Sequence, residues 1–355
     1  MKRLSIVFAL LPLTHAFQEH SDHKVRGARM HNKHQSTPNS ISSTTTRCMS
    51  TTMLDGKSDG LENCKMISWP DGTKQSRESL EQDMYSFLHT NMFPFDRVNA
   101  ESLGFHSASS DTLPDGLSNG LIKPSIDLSI DAKEKYTWTS HVPKDIYFEY
   151  VAPYASVNEP RSNWRPVFYQ KLKGIVEDFV SKNETVMVED ILKEINQNMW
   201  DKFGNDEPIY FKSGQTPLIM DSMSVIVNGY ASCTGLSIFL INALRTFGVA
   251  CRLAGTAAWN AKPENGNHSW VEFYGSDQKW HIMESKPASN GNDENLLDPC
   301  QWWFCNEERV KDTLFFSARF DQTHTTSFPM AWEESMDDIP GEDRTQFMRN
   351  VCSKC

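Results

Sequence analysis

Thr234 to Phe247 limits the possible folds of this chain more than any other stretch, because it is apolar nearly all the way round a helix. Leu236, Ile238, Phe239, Leu240, Ile241, Leu244 and Phe247 leave no face for water, so other elements must cover this helix on most sides. Gly248 stands where a left-handed residue stops a helix. Val249 to Ala254 then reads as a short strand. Ser269 to Tyr274 and Lys279 to Glu284 read as two more, joined by the hairpin signal Gly275-Ser-Asp277. A buried helix followed by an antiparallel sheet is an α+β arrangement.

The stretch before it reads differently. Ser79 to His89 opens with a Ser cap and carries apolar residues at helical spacing. Trp164 to Val180 and Val186 to Phe203 continue the helical pattern, the latter with Val188, Ile191, Leu192, Ile195 and Met199 on one face. Residues 104–142 are rich in Ser, Asp and Gly and read as irregular connection with one or two short helices. The expected organisation is a mainly helical region over 75–215, a catalytic core with a C-terminal extension over 216–340, and a tail over 341–355. With 39% hydrophobic residues in 355, there is ample material for a large core.

The N-terminus reads as an address. Lys2 and Arg3 precede the apolar run Leu4–Leu13, and Thr14-His15-Ala16 ends in a small residue suited to signal-peptidase cleavage. That run is too short for a spanning helix, which needs roughly 20 residues. Residues 17–74, rich in Ser, Thr and His at their start, carry too little apolar content to offset their ordering entropy and are expected to be disordered. The reading is a signal peptide over 1–16 and an extracellular mature protein. The alternative is a plastid, since Phe17 and the basic Ser/Thr-rich stretch after it resemble two-part algal presequences. Residues 56–355 carry 28 basic and 43 acidic residues, a net charge of −15. A body this acidic lacks a footprint for nucleic acid and would be repelled by anionic lipid, so neither is expected as a partner.

Among the eight cysteines, Cys233 stands apart. It lies in Gly229-Tyr-Ala-Ser-Cys-Thr-Gly-Leu236, at the first turn of the buried helix, where the helix dipole favours a thiolate. Its backbone N–H is placed to be one half of an oxyanion hole, with Gln215 and Tyr230 as candidates for the other half. His268 begins one strand and Glu284 ends the next, which supplies a base and a third group to fix its tautomer. A three-residue loop over Gly275–Asp277 would pair Tyr274 with Gln278 and set Glu284 directly opposite His268; a two-residue loop would put them on opposite faces. Arg252, Trp259 and Trp270 are candidates for the substrate cleft, with Arg252 equally readable as a salt-bridged strand residue. His281 and the run Trp302-Trp303-Phe304 read as structural, and Asn183-Glu-Thr185 as a surface glycosylation sequon. An oxidising route implies disulfides among the remaining cysteines, with at least one left over. The spacings of Cys300/Cys305 and Cys352/Cys355 suggest a zinc knuckle, but no partnering His/Cys pair stands at ligand spacing; His-Glu-x-x-His is absent too, and no metal or cofactor is expected.

At these residues the sequence resembles the transglutaminase-like family, the papain-related superfamily that includes transglutaminases, peptide N-glycanases and bacterial peptidase-like proteins. The matching pieces are Gly-x-x-Ser-Cys233-Thr-Gly with its helix, Arg245-x-x-Gly-Val-x-x-Arg252-Leu-x-Gly255, His268-x-Trp-x-Glu272 and Trp280-x-x-x-Glu284. Residues 141–170 are similar to the helical region that precedes this core in secreted bacterial members. The resemblance implies a papain/transglutaminase-like core and a Cys233-His268-Glu284 triad working on a peptide or protein amide. Three departures are visible. Glu284 stands where the family usually has Asp, Thr234 follows the nucleophile where tissue-type transglutaminases have Trp, and no calcium-loop pattern is present. These departures favour hydrolysis, as a peptidase or amidase, over transfer to an amine. A binding protein that keeps the scaffold without turnover is the alternative of a different class.

Overall fold

Helices come first along the chain. In the computed structural model, which describes residues 66–105, 120–204, 206–215, 217–289, 296–332 and 339–355, helix α1 spans Arg77–Thr90. Its cap is Ser76, whose hydroxyl accepts the Ser79 N–H, three residues before the expected cap. The helix starts early because Arg77 joins its first turn through ion pairs to Glu81 (3.1 Å) and Glu134 (2.9 Å). Helix α2 (Ile122–Lys135) is a full 14-residue helix in a stretch expected to be mostly irregular. Its buried stripe is Ile122, Ile126 and Ile130, widened by the buried small residues Ser125 and Ser129, and that polar filling hides the helical period.

Helix α3 (Lys144–Tyr150), α4 (Trp164–Lys182) and α5 (Val188–Asn198) follow. The expected helix from Val186 to Phe203 breaks at Met199, after which Trp200–Phe203 forms a separate turn. Asp221 caps α6 (Ser222–Asn228) by accepting the N–H groups of Met223 and Ser224. Helix α7 (Cys233–Thr246) is the apolar one, and every residue of it is buried. Gly248 follows it at φ +79°, a left-handed conformation that side chains rarely adopt.

The sheet lies beyond α7. Strands β1 (Cys251–Thr256), β2 (His268–Tyr274), β3 (Trp280–Met283), β4 (Phe316–Ala318) and β5 (Gly341–Asp343) are ordered β3-β2-β1-β4-β5, antiparallel throughout. One face rests on α7, where the Ser237 hydroxyl donates to Ser269 O at 3.2 Å. The other face buries Trp259, Trp270, Ile282, Phe304 and Phe315 in a second cluster. The molecule is therefore α+β, with a buried helix against an antiparallel sheet.

Three expectations are corrected here. Residues 66–74, the end of the segment expected to be disordered, are ordered: Ile67–Ser68 pairs antiparallel with Lys74–Gln75, and Ile67 and Trp69 are buried in the main core. Residues 341–355 are not a tail: they supply edge strand β5 and helix α8 (Thr345–Cys352), which is stapled by Cys300–Cys355 and Cys305–Cys352. Gly341-Glu-Asp343 has no apolar alternation and so gives no strand signal. The boundary at 215/216 also does not divide the core, since Leu80, Ile126, Phe168 and Ile191 pack in the same cluster as Leu236, Phe239 and Leu253. The expectations for residues 1–65, including the signal peptide, Cys48 and Cys64, lie outside the described residues. Among the described residues no helix is long and apolar enough to cross a membrane.

Candidate active site

The β2–β3 hairpin sets the geometry of the site. Its loop has three residues, but they are Ser276–Gln278 and not Gly275–Asp277: Gly275 N–H donates to Lys279 O at 2.8 Å, and Tyr274 pairs with Trp280. In this register Val271 faces Met283, so the residue across from Trp270 is Glu284. His268 and Glu284 thus share a sheet face as diagonal neighbours and do not stand directly opposite each other. Such diagonals are about 7–8 Å apart at the backbone, within reach of a long side chain. The extra methylene of Glu284 relative to Asp suits this offset: His268 Nε2 lies 3.0 Å from Glu284 Oε2. The backbone of Glu284 is held separately. Asn196, fully buried on α5, donates from Nδ2 to Glu284 O at 2.9 Å and accepts the Lys286 N–H on Oδ1 at 3.0 Å.

Cys233 reaches the other side of the imidazole. Ser232 caps α7 by accepting the Gly235 N–H, and the Thr234 and Ser269 hydroxyls meet at 3.1 Å, which ties the helix start to β2. Burial works against a thiolate at Cys233, but hydrogen bonding to His268, the charge of that ring and the Ser269 N–H outweigh it. The thiol is drawn below its ordinary value. Burial opposes charge on His268 as well, yet Glu284 and the thiol raise the imidazole to about 10. The two shifts go in opposite directions, which is the signature of a pair that shares a proton as thiolate and imidazolium. Glu284 keeps one oxygen, Oε1, buried without a hydrogen-bond partner among the described residues.

Cys233 and His268 open onto a cavity of about 450 Å³, whose wall also includes Gln215, Asn267, Trp303 and Trp332. A larger cavity of about 800 Å³ lies between α3 and the residues after β4, lined by Phe87, Lys144, Phe148 and Arg319, with no thiol or histidine on its wall among the described residues. The smaller one is the candidate site, because chemistry requires the reactive pair at the wall.

The other sequence candidates fall in different places. Gln215 lines the cavity, but its amide is already engaged: Nε2 donates to Lys212 O at 2.9 Å and Oε1 accepts the Ile219 N–H. Tyr230 is off the wall, packed against Tyr210 with Lys212 over its ring at 4.3 Å. Arg252 is also not in the cleft. It is fully buried in mid-sheet, paired with Glu272 at 2.9 Å and Glu342 at 2.7 Å. Trp259 and Trp270 are buried in the cluster behind the site. His281 stacks on Phe273 and contacts Asp277 at 2.7 Å, away from the thiol. Asn183 is exposed at the end of α4. Sequence reasoning missed Trp303, whose ring centre is 5.3 Å from that of His268, and Phe211 and Leu218 on the same cavity wall. One signal was available: three consecutive aromatics cannot all point inward from a single turn.

Comparison with known proteins adds the class. Residues 173–285 match the family model described as the transglutaminase-like superfamily. The match runs from within α4 to just past Glu284 and supports cysteine-based catalysis in general. Among solved structures, the periplasmic domain of TgpA from Pseudomonas aeruginosa, solved bound to ethylmercury, is 16% identical, with 38% of this chain covering 47% of that one at a TM-score of 0.23. A candidate cysteine protease from Cytophaga hutchinsonii is 14% identical, with 51% of this chain covering 57% of that one at a TM-score of 0.24. The chain thus spans about half the length of the solved structures it matches. Overlaps this loose say nothing about the site. No curated protein matches the chain at a significant level.

Proposed function

We propose that the chain is a thiol hydrolase that cleaves amide bonds through Cys233, His268 and Glu284. One observation carries this reading: a helix-start thiol drawn toward thiolate by an imidazole whose other nitrogen meets a buried carboxylate at 3.0 Å, at the wall of a cavity. His268 takes the thiol proton and the sulfur attacks the amide carbonyl carbon, forming a C–S bond. The C–N bond then breaks, and the departing amine leaves with the proton held on the imidazolium. Water, deprotonated by His268, attacks the thioester, releasing a carboxylic acid and restoring the thiol. Glu284 holds Nε2–H and stabilises the imidazolium between these steps. The Cys233 N–H at the first turn of α7 is available to the oxyanion. Two disulfides among the described cysteines support the secretory, extracellular reading, since such bonds persist in oxidising compartments.

Labelling with a thiol-reactive amide mimic, followed by mass spectrometry, tests the assignment. The expected adduct is on Cys233, in preference to the buried Cys251, whose thiol burial pushes up to about 12. Cleavage of an amide substrate that persists after Cys233 is blocked would end this reading.

A further inference from the structure

We infer that the cleft selects amides whose side chain next to the reacting carbonyl is apolar and uncharged, and that Trp303 is the specificity-determining residue. This rests on the thiol reading above and adds a substrate class to it. Three observations carry it. First, ten large apolar side chains are substantially exposed among the described residues, and three of them, Phe211, Leu218 and Trp303, line this one cavity. Scattered apolar residues on a surface need no explanation, whereas a cluster facing one cavity marks a binding surface. Second, among the described residues no Asp, Glu, Lys or Arg lines the cavity, although the chain carries 81 charged side chains. A charged substrate group entering it would lose water and, among the described wall residues, meet only the Cys233–His268 pair, whose own charges already balance each other.

Third, Trp303 is held in place while remaining 40% exposed. Its ring meets Trp259 edge-on at 5.6 Å, and the Arg309 guanidinium sits 4.7 Å from its centre. Cys300 and Cys305 bracket it in sequence, and each is disulfide-bonded to the α8 end of the chain. An aromatic that is locked in position loses little entropy when a ligand packs on it. With its ring 5.3 Å from the His268 ring, a side chain packed on Trp303 belongs to the residue at the scissile bond, not to a remote one.

The test uses the full chain and four capped amino-acyl chloromethyl ketones carrying Phe, Leu, Asp or Lys, with iodoacetamide as a probe lacking any side chain. In each case the Cys233 thiolate displaces halide and forms a thioether that mass spectrometry locates. The Phe and Leu probes are expected to modify Cys233 at least tenfold faster than the Asp and Lys probes. In Trp303→Ala that ratio should fall toward one, and Leu218→Ala provides a second, smaller reduction should Trp303→Ala fold poorly. Equal rates for all four probes on the native protein would overturn the inference while leaving the thiol reading intact. A ratio unchanged in both variants would remove Trp303 and this wall as the source of selectivity. Failure of iodoacetamide to modify Cys233 at all would instead overturn the thiol reading on which the inference stands.

Discussion

Strand β2 carries two buried ionisable residues on one face, His268 at its start and Glu272 four residues on, and their surroundings differ. Glu272 is saturated. Oε2 accepts from Arg252 Nε and Nη2 at 3.0 and 2.9 Å, and Oε1 accepts from Arg344 Nε at 3.1 Å. Arg252 in turn donates to Glu342 and to the Tyr150 hydroxyl, so positive and negative charges balance, although Arg344 Nη2 is buried without a partner among the described residues. The His268 end is built from the same kinds of group but is left open. One Glu284 oxygen lacks a partner among the described residues, a thiol stands on the other side of the ring, and a cavity adjoins both. Motif reading alone could not separate the two, since Arg252 and His268 both belong to matching sequence blocks. What separates the two clusters here is a nucleophile and space for a ligand beside the buried charge.

The comparison can be broken from either end. Cys233→Ala should have the largest effect, a loss of turnover on the order of 10⁶, as when a nucleophile is removed from a comparable triad. Its stability should change by no more than about 1–2 kcal/mol in a urea titration. Arg252→Met should do the reverse, costing about 3–5 kcal/mol because Glu272 is left buried with its charge incompletely compensated. The double change Arg252→Met with Glu272→Leu should recover much of that loss. An Arg252→Met protein of native stability but impaired turnover would show that the mid-sheet network belongs to the site after all.

Glu284→Gln should rank next, lowering turnover by about 10–10³. This is less than the roughly 10⁴ seen in a serine triad, because a thiolate–imidazolium pair depends less on its third member. The smallest effects are in pH. The rate should rise as pH passes the lowered thiol value and fall as His268 loses its proton through about 10. Linkage gives the sign for stability. The folded value of His268 is raised, so its contribution is complete below the unfolded value of about 6.5 and is lost as pH climbs through about 10. The melting-temperature advantage of the native protein over Glu284→Gln should therefore shrink across that window, and a gap that widens with pH would contradict the assigned ion pair.

The α+β class and α7 were legible in the sequence because they rest on composition: an all-round apolar helix has few alternatives. What failed depended on contacts that leave no local pattern. The hairpin register is the clearest case. Gly275 looks like a turn glycine, but its small size serves a close approach, since a Cβ there would come within 2.6 Å of the His281 ring. The left-handed turn position falls on Gln278, at φ +61°, which carries no glycine signal. The resulting shift keeps Glu284 on the His268 face, because moving the turn by one residue moves the pairing by two. Strands β4 and β5 were illegible for another reason: they are three residues each, and their partners lie far along the chain.

The staples between residues 300–305 and α8 also impose an order on biosynthesis. Cys355 is made 55 residues after Cys300, and Cys352 is made 47 after Cys305. At about 5–20 residues per second this is a lag of several seconds. During it, two thiols wait without their partners in a nascent chain that already contains Cys233. A cysteine disposed to be a thiolate is a good attacker of disulfides, so premature oxidation threatens it with a mixed bridge to Cys300 or Cys305. Packing of α7 against the sheet and the other helices leaves Cys233 reachable only from the cavity and so limits that exchange if it precedes the arrival of α8. In an oxidising compartment, the timing of collapse around α7 then decides what fraction of the chains matures with the nucleophile free.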